Sequence, residues 1–146
     1  MSNSTPYLLS MTYLKLRGLR ALGEFLSLNE PSYRQAQKSS GLIAGSGVIG
    51  GLLTFCTVTL WEDLPSMQNY IGKDAHLRAM PKLRSLCSEA ISSHQSWSEK
   101  RLPNKAEFLS LLAVAPKFIA LQSPSARHQA KQAPTRLLLW LERPIL

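Results

Sequence analysis

Residues 41–61 carry no charged side chain, and that run separates two very different kinds of protein. Twenty-one uncharged residues are enough to cross a bilayer as a helix. Five of them are glycine, however, and serine and threonine are interspersed. Each glycine costs a helix interior about 1 kcal/mol. The second half, Leu53 to Trp61, is β-branched and aromatic, the composition of a strand. Two strands joined near Gly50-Gly51 therefore explain the run better than a spanning helix.

The flanks fit a sheet. Residues 7–13 alternate, with Tyr7, Leu9, Met11 and Tyr13 on one face, the period of a half-buried strand. Residues 19–38 suit a helix with Leu19, Leu22, Phe25 and Leu26 on its apolar side, and Pro31 is expected to interrupt and restart it. After Trp61, the acids Glu62 and Asp63 and then Pro65 open a further helix, where the macrodipole favours negative charge. Gly72 splits that helix, with Asp74 as the expected cap of its second piece. In the second piece His76, Ala79, Met80, Leu83, Leu86 and Cys87 share one face, and Pro81 should kink or shorten it. Residues 90–97 read as a strand, with Ala90, Ser92, His94 and Ser96 on one side. Asn104 and Glu107 have capping-box spacing for a short helix carrying Phe108, Leu111 and Leu112, which Pro116 stops.

The order is β-α-β-β-α-β followed by a helix, which is the ferredoxin-like α+β plan with helices on one face of an antiparallel sheet. A domain over 6–116 is expected, with residues 117–146 as a basic, proline-containing C-terminal extension. Within that extension only 135–142 is strongly apolar, which leaves two readings open: a short helix docking on the domain or a partner, or a poorly ordered tail.

The net charge of +8 invites a nucleic-acid reading, but its distribution argues against one. Residues 1–116 hold twelve basic and eight acidic side chains, and the last thirty hold five basic residues and Glu142. Neither part has a dense basic run with interleaved aromatics. Cys56 and Cys87 form no paired-ligand spacing and sit among apolar residues, so buried free thiols and a cytoplasmic setting are expected. The N-terminus lacks the charged segment, apolar core and cleavage site of a secretory signal. Gly45 to Gly50 matches G-x-G-x-x-G literally, but a strand follows it where a dinucleotide site needs a helix.

The stretch from Leu60 to Met80 resembles the monooxygenase-like dimeric α+β barrel superfamily, and within it the spheroidene monooxygenase-like group. The matching residues are Leu60, Trp61, Glu62, Asp63, Met67, Tyr70, Ala75, His76, Ala79 and Met80. Gly45-Ser46-Gly47, and Trp97 followed by Glu99, Leu102 and Pro103, add to the likeness. The resemblance covers roughly residues 6–115. It implies a dimeric α+β barrel, a homodimer with its two sheets face to face, and a hydrophobic or planar small-molecule ligand. It also implies oxidation of an apolar substrate, with haem in the spheroidene-like group and no cofactor in others that share the fold.

Two candidate sites follow. In the haem reading His76 is the metal ligand, and Met80, Trp61 and Tyr70 line the cofactor site. An imidazole can ligate iron through one nitrogen if a hydrogen bond holds the other. The competing reading packs His76 at a helix N-terminus, bonded to Asp63, Asp74 or backbone. In the cofactor-free reading His94, Asn69 and Tyr13, with Ser92, are the catalytic groups that deprotonate a substrate and hold its anion. The third histidine, His128, is expected to be solvated. Outside these oxidative readings, the chain is a non-catalytic interaction module whose basic tail contacts a partner.

Overall fold

The computed structural model describes residues 6–146. Its strands and helices run in the order β1 (Tyr7–Leu16), α1 (Leu22–Gln37), β2 (Leu42–Ile49), β3 (Thr54–Trp61), α2 (Leu64–Ile71), α3 (Asp74–Leu86), β4 (Cys87–Trp97), α4 (Lys105–Val114), β5 (Lys117–Phe118), α5 (Ala126–Gln129) and β6 (Leu141–Pro144). A 3-10 turn, Leu19–Ala21, leads into α1. The strand order β5-β4-β1-β3-β2-β6 contains the ferredoxin-like core β4-β1-β3-β2 with every neighbouring pair antiparallel. The expected α+β architecture is what the chain adopts. The charge-free run is the β2–β3 hairpin, and among the described residues no helix is long and apolar enough to cross a membrane.

Both faces of the sheet are covered. On one face Leu9, Met11, Val58, Leu60 and Ile91 pack with Phe108 and Leu112 of α4 and with Leu137. On the other, Leu14 and Phe55 pack with Phe25 of α1 and with Leu83 and Leu86 of α3. β3 therefore meets a packed layer on both faces, which is why its sequence carries no charge and is β-branched or apolar throughout. Each fully buried Leu, Phe or Met contributes about 1.5–3 kcal/mol.

Several local expectations change. Pro31 and Pro81 lie inside α1 and α3, and neither ends its helix. Each forfeits one backbone hydrogen bond. Burial of Phe25 and Ala36 on α1, and of Ala79 and Leu86 on α3, holds the helices in place across that loss. Asp74 is not a cap: it is the first residue of α3, in left-handed backbone at φ 52°, and Lys73 precedes it without a side-chain capping bond. Asp63 does cap α2, accepting from the Ser66 N–H at 2.9 Å. Asn104 and Glu107 form the expected capping box on α4.

The C-terminal segment differs most. No helix forms over 135–142. Instead β5 pairs with β4 at one edge of the sheet, and β6 pairs with β2 at the other. Between them the chain crosses the face opposite α1–α3, where Trp140 packs against Phe108 at 5.4 Å. His128 is buried, with its Nε2 2.8 Å from the Ile119 carbonyl and its Nδ1 accepting from the Ala90 N–H at 3.5 Å. It pins this segment to β4 rather than facing solvent. Gly41, at φ 88°, is required where β2 begins, because a side chain there would overlap Ser66 of α2.

Candidate ligand pocket

A cavity of about 310 Å³ lies between the sheet and the helices α1 and α3. Thr12, Leu14, Phe55 and Thr57 form its floor, and Phe25, Ala36, Ala79 and Leu83 line its roof. Tyr70 and His76 meet at the break between α2 and α3, with ring centroids 4.7 Å apart. Leu141, Arg143 and Ile145 of the C-terminal segment make the remaining wall. That wall is tied to α1. Arg143 forms a two-pronged ion pair with Glu30 at 2.9 and 3.0 Å and lies 3.8 Å over the Tyr33 ring, while the Tyr33 hydroxyl donates to the Pro144 carbonyl.

His76 is held from two sides. Its Nδ1 lies 3.3 Å from the Ile71 carbonyl, which can only accept, so Nδ1 carries the proton and Nε2 keeps its lone pair. Burial lowers the His76 pKa, the bond to Ile71 opposing, so the ring is neutral near pH 7. Burial pushes the Tyr70 phenol up to about 12, so it stays a donor, and its hydroxyl bonds to the Ser32 carbonyl at 3.2 Å. The break between the two helices is satisfied by α1. Gln35 donates to the Tyr70 and Lys73 carbonyls at 2.9 and 3.0 Å and accepts from the His76 N–H at 2.9 Å. Gln35 therefore does the capping expected of Asp74, from a different element.

The structure gathers part of the expected set. His76, Tyr70 and Met80 line the cavity. Trp61 is fully buried behind it, stacked on Tyr70 at 5.3 Å, with its indole N–H on the Thr59 hydroxyl. The other trio is dispersed. Asn69 is exposed on α2. His94 is exposed on β4, on the face that bears α1–α3 and beside Ser10, outside the cavity lining. Tyr13 faces the opposite side of the sheet, where its hydroxyl lies 3.4 Å from Glu89. Tyr33, Gln35, Arg143 and Ile145 were not singled out in the sequence. The alternation Leu141-x-Arg143-x-Ile145 was the one available signal for that wall.

As a haem site the cavity is only half suitable. A neutral imidazole with one nitrogen held by backbone is the right axial donor. About 310 Å³ is at the low end of small-ligand cavities, roughly 300–1,000 Å³. Among the described residues, no group of three or more His, Cys, Asp or Glu side chains could hold a metal ion.

The same α+β fold, an antiparallel sheet with helices packed on it, occurs in several solved structures. A conserved protein from Methanosarcina mazei Go1 shares it at 18% identity and a TM-score of 0.55, over 64% of this chain and 94% of that one. So does the NE2512 protein of unknown function from Nitrosomonas europaea, at 20% identity and a TM-score of 0.54, over 68% and 96%. SnoaB, a cofactor-independent oxygenase from Streptomyces nogalater, matches at 14% identity and a TM-score of 0.50, over 66% and 96%. At these identities the likeness concerns the fold. No protein-family model and no curated protein matches the sequence.

Proposed function

We propose that this protein binds a flat, apolar small molecule in the cavity between α1, α3 and the sheet and acts there as a cofactor-free oxygenase. The observation that carries the reading is the pairing of one neutral imidazole with apolar walls. His76 Nε2 is a base whose partner nitrogen is anchored, in a space lined by Phe25, Phe55 and Leu83. A base of this kind takes the acidic proton of an electron-rich aromatic or enolisable substrate, and the resulting anion can reduce dioxygen. Desolvation within apolar walls strengthens the attraction between the new imidazolium and that anion. The fold shared with SnoaB supports the oxygenase class.

The finer resemblance, to spheroidene monooxygenase-like enzymes, favours haem with His76 as its ligand, and the anchored Nδ1 supports that second reading. One titration separates the two. Haemin added to the purified protein gives no Soret shift dependent on His76 in the cofactor-free reading, while a planar polycyclic phenol quenches tryptophan fluorescence and is consumed with oxygen. His76→Ala lowers that oxygen consumption at least tenfold. A Soret band that His76→Ala abolishes would replace the first reading with the second, and no binding of either ligand would end both.

A homodimer is proposed with it. The sheet face expected to stack on a partner is already covered by α4 and the segment leading to Trp140, so two chains would meet through that layer. Sedimentation as a monomer at micromolar concentration removes the dimer. The free, buried thiols of Cys56 and Cys87 support a cytoplasmic setting.

A further inference from the structure

On the face of the sheet opposite the proposed substrate pocket lies a second cavity of about 400 Å³, with a different chemistry. Leu53, Leu137 and the Gly50-Gly51 turn supply apolar and backbone surface, while Tyr13, Lys15, Glu89, Arg127 and Arg136 supply polar groups. Glu89 is the unusual member. Its side chain is only 6% exposed, and it stands directly across from Lys15 in the β1–β4 pairing. A carboxylate offers about four acceptor positions. Glu89 uses one for the Tyr13 hydroxyl, at a long 3.4 Å, and the Lys15 ammonium stands off at 4.0 Å. A buried carboxylate so thinly partnered is costly to stability alone.

The charges around it are unbalanced in a way that defines a complement. Lys15, Arg127 and Arg136 against Glu89 leave an excess of two positive charges around the cavity. Arg127 is close enough for its charge to act on the Tyr13 phenol, and its Nη2 is used by the Ala133 carbonyl at 3.1 Å. A phosphate monoester carries about −1.5 to −2 near pH 7. A hydroxyl on the same molecule would donate to Glu89. We propose that this cavity is a binding site for a small polyhydroxylated phosphate, a sugar phosphate in size and chemistry, with a hydroxyl on Glu89 and the phosphate on Lys15, Arg127 and Arg136. Neither half of such a ligand suffices: phosphate alone meets the Glu89 charge, and an uncharged sugar leaves the excess of two positive charges unmet.

Calorimetric titration of the full chain with glucose 6-phosphate, inorganic phosphate and glucose tests the site. Glucose 6-phosphate binds at least tenfold more tightly than the other two, and its affinity falls as salt rises. Its binding moves the amide resonances of Gly50, Gly51 and Leu53. Glu89→Gln, which keeps an acceptor for Tyr13 but removes the charge, weakens it about tenfold. Arg136→Gln, at an exposed position that folding does not depend on, weakens it too and so keeps the test open if Glu89→Gln misfolds. Absence of binding at millimolar glucose 6-phosphate overturns the proposal. So does inorganic phosphate binding equally well, or affinity that Arg136→Gln leaves unchanged. Because His76 lies across the sheet, these outcomes are independent of the haemin and phenol titrations.

Discussion

Gln35 shows how one amide can organise a site. It bonds to Tyr70, Lys73 and His76, so three backbone groups at the break between α2 and α3 find their partner on α1. Replacing it by Ala removes three hydrogen bonds and is expected to destabilise the fold by about 1–3 kcal/mol, read as a drop in Tm. The loosened break also hydrates the imidazole, so the His76 pKa moves back up, measured by NMR titration of the ring. The sign of the accompanying stability change follows from linkage. His76 is depressed in the folded state, so its stabilisation is complete above its unfolded value of about 6.5 and is lost as pH falls through that value towards the folded one. Gln35→Ala should flatten that part of the profile; an unchanged His76 titration would contradict the positioning role. Nothing in the sequence marks Gln35, because its partners lie 35–41 residues away. His76 itself was legible, as the one imidazole on an apolar helical face.

At the scale of elements, local signals worked where the responsible groups are neighbours in sequence. The capping box of α4 is the clearest case. Asn104 accepts from the Glu107 N–H at 2.9 Å and Glu107 accepts from the Asn104 N–H at 3.0 Å. Arg101 holds the Glu107 carboxylate with two bonds of 2.8 Å, and together with the Asn104 backbone it pulls the Glu107 pKa down to about 2. That contribution is present above about pH 4.5 and is lost as pH falls towards 2. Asn104→Ala is expected to cost about 1 kcal/mol at neutral pH, by denaturant titration. Glu107→Gln should blunt the acid limb of the melting profile. Breaker signals worked less well. Pro31 and Pro81 read locally as interruptions, yet packing against the sheet carries both helices through them. Tertiary contact outweighs one missing hydrogen bond per proline.

At the scale of the whole molecule, the C-terminal thirty residues add a strand to each edge of the sheet. β6 extends it beyond β2, Leu137 and Ile145 are buried, and Arg143 ties that edge to α1. An independent interaction tail would leave the remaining domain folded when residues 117–146 are deleted. The structure predicts a different result: the truncated protein loses two sheet edges and buried apolar contacts, exposes Phe108 and Val48, and melts at least 10 °C lower or aggregates. Circular dichroism and light scattering on the truncated chain check this. A truncation that melts like the full chain would restore the independent tail.

Up to α4 the sequence by itself determined the elements and their order, because the period of apolar residues and the caps are local properties that act over a few neighbours; beyond Pro116 it did not. It also placed His76, Tyr70 and Met80 on helix faces turned to the core. Tertiary structure alone decided that β6 walls the pocket, that Gln35 caps α3, and that Tyr13 and His94 stand on opposite faces of one sheet. Strand pairing sets those relations. Tyr13 lies across from Ile91 while His94 lies across from Ser10. A shift of one residue in that register would reverse which face each side chain meets. The energy that selects the register is burial between elements distant in the chain, which no local pattern encodes.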